Sequence, residues 1–294
     1  MVAKVLHQAN ASLAEGPIWD PRLNAIYWVD IRRCRIHRFR VETGRQDGVW
    51  VTRHSTGCVG LTADPGVLVV AAGAEVFLLN LATGVETAVA TLPVETPWMR
   101  ANDGRVDAAG NFWVGTMIDD IHAPDPFTDG RLFCVTPGGE VRDSGARFEL
   151  PNGMGWSPDG GTFYINDSTA LKTYAFDFDV ASGRLSNQRV LLEHPAGEGL
   201  PDGLAVDADG NVWTGQWNGW TIRSIDAGGQ LRNTWRVPVQ RPSSLTFFGE
   251  GLARVTFTSA ANGMGIDELI AAPEAGSLFE LDVVATGRGE HYFG

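Results

Sequence analysis

Short apolar stretches recur along this chain, each cut off by a cluster of Gly, Asp, Asn or Pro, and they keep step over long distances. Three segments align residue for residue: Asn102-Asp103-Gly104-Arg105-Val106-Asp107-Ala108-Ala109-Gly110-Asn111-Phe112-Trp113, Asn152-Gly153-Met154-Gly155-Trp156-Ser157-Pro158-Asp159-Gly160-Gly161-Thr162-Phe163, and Asp202-Gly203-Leu204-Ala205-Val206-Asp207-Ala208-Asp209-Gly210-Asn211-Val212-Trp213. Glu15-Gly16-Pro17-Ile18-Trp19-Asp20-Pro21 opens a fourth copy that runs on to Ile26-Tyr27-Trp28. Two weaker copies start at Val59-Gly60 and Ser243-Ser244. The positions in phase are then Glu15, Val59, Asn102, Asn152, Asp202 and Ser243.

Within each unit a short strand is followed by a turn, a β-branched or aromatic strand, and further strands such as 76–81, 131–136, 172–177 and 277–281. No stretch sustains a helical period between caps. Six units in 294 residues average 49 residues each, close to the repeat of propeller blades. The pattern predicts an all-β chain, a six-bladed β-propeller forming one domain over residues 1–294. Radial repetition of that kind leaves only short, protected sheet edges. The ring is expected to close by residues 2–8 joining the blade made by residues 276–281. Two domains are the alternative, because the length exceeds the usual span of one. No Pro/Ser/Gly linker or shift in composition interrupts the chain, which argues against them.

The in-phase polar positions are where the chemistry is expected. A place that serves only the fold would tend to repeat one residue type, whereas Glu15, Asn102, Asn152 and Asp202 vary in type while keeping phase. In a propeller the first strand of each blade lines the central channel, so these residues should ring one mouth. Two carboxylates and two amides offer the oxygen donors that hard divalent cations prefer. No His or Cys shares the phase, which argues against a closed structural zinc site. The other reading is a ring of polar groups satisfied by backbone and channel water.

Composition narrows the partners. Hydrophobic residues make up 44 %, ample for a packed core, and 23 Lys+Arg against 35 Asp+Glu give a formal charge of −12. That charge argues against a broad nucleic-acid or anionic-membrane surface. Arg32, Arg33, Arg35, Arg38 and Arg40 alternate and read as a solvated strand face. No apolar run reaches the length of a membrane span, and residues 1–14 carry no signal-peptide pattern. Cys34, Cys58 and Cys134 are sparse and odd in number, as expected of reduced thiols in a cytoplasmic protein. Asp207 to Asn211 superficially suggests a calcium loop, but without the acidic twelfth position it reads as a hairpin turn. There is no nucleophile elbow, P-loop or dinucleotide fingerprint.

Ala14-Glu15-Gly16-Pro17-Ile18-Trp19, Arg100-Ala101-Asn102-Asp103-Gly104, Gly115-Thr116-Met117, Pro151-Asn152-Gly153 and Pro201-Asp202-Gly203 together resemble the senescence-marker-protein/gluconolactonase (regucalcin-like) family. Five motifs stand in series, and the resemblance covers nearly the whole chain. The resemblance implies a six-bladed propeller with one divalent cation (Ca, or Mg, Mn, Zn or Fe) in its channel. It implies hydrolysis of a sugar lactone, an aldonolactone of the glucono-, xylono- or arabino- type, to the aldonic acid. Carried over by position, Glu15, Asn152 and Asp202 become metal ligands, and Arg100 and Asn102 face the substrate. Asp120 falls where some relatives bind sugar hydroxyls, and Asp119 could substitute for it.

A lactone carbonyl gains negative charge as water attacks, and a bound cation stabilises it. Asp202 is the expected general base, although ligation depresses a carboxylate's basicity. Two rivals stay open. One is a metal-dependent phosphotriesterase or other esterase on the same scaffold, favoured by an aromatic pocket poor in hydrogen-bonding groups. The other is a calcium-binding scaffold propeller.

Overall fold

The computed structural model describes residues 3–94, 96, 98–119 and 129–294. Six antiparallel sheets are arranged around a channel. Blades 1 to 5 each run outward in chain order, and their innermost strands are Ala14–Asp20, Thr56–Thr62, Met99–Val106, Pro151–Trp156 and Leu200–Val206. Blade 6 is assembled from Pro242–Phe248, Arg254–Ser259, Leu278–Leu281 and, outermost, the N-terminal strand Ala3–His7. Ala3 pairs with Leu281 and Val5 with Phe279, which is the closure expected from the sequence.

The inner strands are buried along almost their whole length, as they must be between neighbouring sheets. Aromatic side chains fill the wedges between blades. Trp113 of blade 3 meets Trp156 of blade 4 edge-on at 6.4 Å, and Trp213 of blade 5 meets Phe247 of blade 6 at 5.7 Å. Such pairs add to the area they bury.

The repeated turn is explained by one carboxylate. Asp107 Oδ1 accepts from the Ala109 and Asn111 amides, and its Oδ2 accepts from Trp113 Nε1 at 2.8 Å. Asp207 does the same with Asp209, Asn211 and Trp213. The segment 207–211 is thus a hairpin turn pinned to its own blade, as read from the sequence.

Blade 2 is out of step with that reading. Its turn is closed by Thr62, whose single hydroxyl proton is shared between the Asp64 and Val67 carbonyls at 2.9 and 3.0 Å. Counting back from Thr62 puts Gly57, not Val59, at the place held by Asn102 in blade 3. The strand bulge of blade 2 falls at the same place, between Thr56 and Cys58. A Cβ on Gly57 would lie 2.5 Å from the Ala101 carbonyl oxygen and 2.7 Å from that of Asn102. Blade 3 approaches so closely that no side chain fits, and the ring of polar residues has a gap there.

After blade 6 the chain crosses the far end of the channel. Gly287 donates to the Leu252 carbonyl, Arg288 Nη1 to the Trp156 and Ser157 carbonyls, and Gly294 to the Gly110 carbonyl. Tyr292–Phe293 then pairs in parallel with the inner strand of blade 2.

Candidate active site at the channel mouth

The inner strands of blades 1, 3, 4 and 5 deliver Glu15, Asn102, Asn152 and Asp202 to one cavity of about 280 Å³, and Arg100 lines it with them. Each strand bulges beside the polar residue, between Glu15 and Ile18, Ala101 and Gly104, Asn152 and Met154, and Pro201 and Leu204. A bulge re-aims the local side chain. In blade 4 this depends on Gly153, which has φ +45° and whose Cβ would lie 2.4 Å from the Leu204 amide nitrogen. Only glycine suits both the left-handed backbone and the neighbour.

Glu15 is 8 % exposed and Asp202 4 %, and among the described residues neither forms an ion pair. Burial pushes both carboxyls well above the ordinary carboxylate range, with Asp202 and Asp103 adding repulsion at Glu15, and Asp103 at Asp202. Asn152 Nδ2 donates to Asp202 Oδ1 and, at 3.3 Å, to Ser168 Oγ. Asp103 is spent on backbone: it accepts from the Gly104 amide at 2.7 Å and from the Gly153 amide at 2.9 Å, tying blade 3 to blade 4 beside Asn152.

A cation fits these donors. Two buried carboxylates without a positive partner are the costly arrangement a divalent ion relieves. Among the described residues no three His, Cys, Asp or Glu side chains converge to hold a metal, and the Asn152 amide beside Asp202 is a further oxygen donor within the cavity. Turned about its last torsion, that amide presents Oδ1 in place of Nδ2.

Arg100 is enclosed, being 5 % exposed. Its Nε donates to Asp119 Oδ2 at 2.8 Å, and its Nη1 to the Ala101 carbonyl and to Asn102 Oδ1. Asn102 Nδ2 in turn donates to the Pro151 carbonyl at 3.1 Å. Asp119 therefore acts on Arg100. Asp120 lies outside the described residues.

Arg32 corrects a second expectation. It does not sit on a solvated strand face. It belongs to the 3₁₀ turn Ile31–Arg33, which ends at Cys34 with φ 53°, and it lines the cavity. Its Nη1 and Nη2 grip Asp119 at 2.8 and 2.7 Å, so one carboxylate holds two guanidinium groups. Arg38 and Arg40 do lie on a strand, Arg35–Arg40, paired with Asp47.

Sequence reasoning missed the upper wall, where Leu13, Ile31, Met117, Leu150, Leu200 and Trp217 are the apolar members. None of them shares the repeat phase, so the periodicity carried no signal for them. It also missed the support behind Asp202. Asn166 Nδ2 donates to the Asp202 carbonyl at 2.6 Å, Thr173 Oγ1 donates to Asn166 Oδ1 at 2.7 Å, and His194 Nε2 lies 2.9 Å from Thr173 Oγ1. Because Thr173 gives its proton to Asn166, the His194 ring N–H donates to Thr173. Burial and the Arg223 guanidinium push His194 down to about 4, keeping it neutral.

A propeller whose inner strands gather acids, amides and an arginine around one open cavity has the build of an enzyme rather than of a scaffold. The chain belongs to the SMP-30/gluconolactonase/LRE-like family, whose region matches residues 13–261. It is 34 % identical to regucalcin of Danio rerio over 278 residues, covering 94 % of this chain and 91 % of that one. It is 33 % identical to a pentonolactonase of Haloferax volcanii over 282 residues, covering 95 % and 93 %. The solved structure of a calcium-binding regucalcin from Agrobacterium tumefaciens superposes with a TM-score of 0.92 at 28 % identity, covering 99 % of this chain and 96 % of the other.

Proposed function

We propose that the protein hydrolyses a sugar lactone to its aldonic acid, using one divalent cation held by Glu15, Asn152 and Asp202. The enzyme class, a lactonase, follows from family membership. The observation that carries the finer reading is the convergence of those three side chains, from blades 1, 4 and 5, on the cavity that Arg100 and Asn102 also line. The calcium-binding regucalcin relative supports a hard cation.

When bound, the cation supplies Lewis acidity toward the ester carbonyl and the attacking water. Asp202 would take up the proton of the attacking water through a carboxylate oxygen that does not hold the cation. Arg100 has Nε and Nη1 engaged within the protein, which leaves Nη2 to donate to a lactone or hydroxyl oxygen. Asn102, fixed by Arg100 and the Pro151 carbonyl, orients the polyol. Holding substrate in one pose converts binding into rate. Leu13, Ile31 and Met117 add apolar surface to the cavity lining.

Trp217 is the only aromatic residue among the described residues lining the cavity, and seven of the lining residues carry charged or carboxamide groups: Glu15, Arg32, Arg100, Asn102, Asn152, Asp202 and Asn262. That balance favours a polyol over an aryl ester or phosphotriester. The test is acid release from a panel of aldonolactones by metal-stripped protein, with Ca²⁺, Mg²⁺, Mn²⁺, Zn²⁺ and Fe²⁺ restored in turn. Turnover that returns with at least one ion supports the reading, and no acid release from any pair of lactone and ion overturns it.

A further inference from the structure

The polar floor of the cavity explains how a reacting carbonyl is held, but it leaves the rest of the sugar to the apolar wall. Trp217 ends the strand Val212–Trp217 of blade 5, is half-buried, and lines the cavity. Its backbone pairs with Leu200, which precedes Asp202 by two residues on the inner strand. The bulge between Pro201 and Leu204 interrupts the strand alternation there, and Leu200, Asp202 and Trp217 all line the one cavity, so the indole and Asp202 share the blade 5 wall. A lactone ring with its carbonyl beside Asp202 would extend to the level of the indole.

The indole is held from behind. The Arg241 guanidinium lies 5.2 Å from its ring. Arg241 Nε donates to Asn218 Oδ1 at 2.7 Å, and its Nη1 donates to the Asn262 carbonyl. Asn262 itself lines the cavity. The indole thus carries a fixed cation over its ring and packs against the core cluster that includes Leu13 and Ile31, while the residue borders the cavity. Among the described residues no group accepts a hydrogen bond from the Trp217 Nε1–H.

We infer that Trp217 is a specificity-determining platform: its indole packs against the C–H face of the sugar ring while the hydroxyl-bearing edges face Arg100 and Asn102. An aromatic face is apolar and flat, and the indole N–H supplies one donor at its edge. A few placed polar groups within an otherwise apolar wall are how small-molecule sites fix orientation. Arg241 is a positioning residue, acting on substrate only through the indole. The inference rests on the lactonase reading and adds the determinant of affinity to it.

The test compares wild type with Trp217→Phe, Trp217→Leu and Trp217→Ala on the aldonolactone panel, with the activating ion saturating. Trp217→Ala and Trp217→Leu should each raise KM about tenfold with kcat within twofold, and Trp217→Phe should return KM to within about threefold of wild type. Intrinsic fluorescence is read in parallel during titration with an aldonate: quenching should occur in wild type and be lost in Trp217→Phe. Wild-type KM in Trp217→Ala, or rescue by Leu equal to rescue by Phe, overturns the platform. If wild type hydrolyses no lactone the functional reading fails, and the fluorescence titration with aldonates and polyols still decides whether Trp217 is a sugar platform.

Discussion

The two ends of the channel are built from the same inner strands, and they treat charge in opposite ways. At the mouth, Glu15 and Asp202 are buried without an ion-pair partner among the described residues, beside a cavity of about 280 Å³. At the far end, Glu290 faces Arg105 at 3.7 Å and accepts from Thr246 at 3.2 Å, Arg288 is spent on two carbonyls, and the enclosed space is only about 40 Å³. Blade packing is common to both ends, so the fold does not require the unpaired acids. Buried acids at the far end, Asp107 and Asp207, are satisfied by backbone and indole N–H donors, whereas Glu15 and Asp202 lie open to a cavity where a ligand can compensate them.

The strongest way to break this contrast is to remove the acid at its centre. Asp202→Ala should lower lactone turnover by about a hundredfold to ten-thousandfold, the range for losing a general base. Calorimetric titration with Ca²⁺ and Mn²⁺ should show cation affinity falling with it. Glu15→Gln should weaken cation binding while the unfolding midpoint holds. Unchanged affinity in both variants would remove these residues from the site.

Arg100→Ala separates substrate from cation. Steady-state kinetics should show kcat/KM lowered by about tenfold to a thousandfold, equivalent to about 1.4–4 kcal/mol of transition-state contact. Cation affinity should stay close to that of wild type. Butyrolactone, which has no hydroxyls for Arg100 and Asn102, should be a poor substrate for the parent. A variant that matches the parent on every lactone would place Arg100 outside the reaction.

His194, behind the mouth, tests the support rather than the site. Its folded value of about 4 lies below the ordinary 6.5. The neutral ring is therefore favoured by folding: its contribution is complete above about 6.5 and is lost as pH falls toward about 4. Stability of wild type should decline through that window by up to about 1.4 kcal/mol per pH unit relative to His194→Gln, measured by denaturant unfolding. Parallel pH profiles for the two proteins would show that the ring does not titrate there.

The smallest effect is expected at the far end. Arg288→Ala loses two hydrogen bonds to carbonyls, about 1 kcal/mol, and should lower Tm by about 2–4 °C. Lactone kcat and KM should be unaltered. A kinetic effect would mean that the two ends communicate.

The residues of the mouth were legible where phase and turn chemistry agree. Glu15, Asn152 and Asp202 stand at fixed distances from a turn residue that bonds its own backbone, and the sheet registers preserve that distance. Blade 2 misled because Ala63-Asp64-Pro65 imitates the turn two residues late, while Thr62 does the bonding. Arg32 misled because alternating arginines look like a strand until the 3₁₀ turn at 31–33 shifts the first of them into the cavity. Trp217, Leu150 and Met117 come from loops and strand ends outside the repeat, and only three-dimensional neighbourhood assigns them. The crossing of residues 283–294 carries no periodic pattern, so its path was not legible at all.

That crossing, together with the N-terminal strand of blade 6, sets the order in which the molecule can form. Blades 3, 4 and 5 join residues close in sequence and can zip locally as hairpins. Ala3 with Leu281, and Tyr292 with Leu61, join segments separated by most of the chain. Loop-closure entropy delays such contacts and slows folding. An open arc of blades is therefore the expected intermediate, with the inner strand of blade 2 and the outer edge of blade 6 unpaired until the last segments arrive. Those two edges are where the unfinished ring would recruit a second chain, and variants that loosen residues 283–294 should show their defect first as aggregation during refolding.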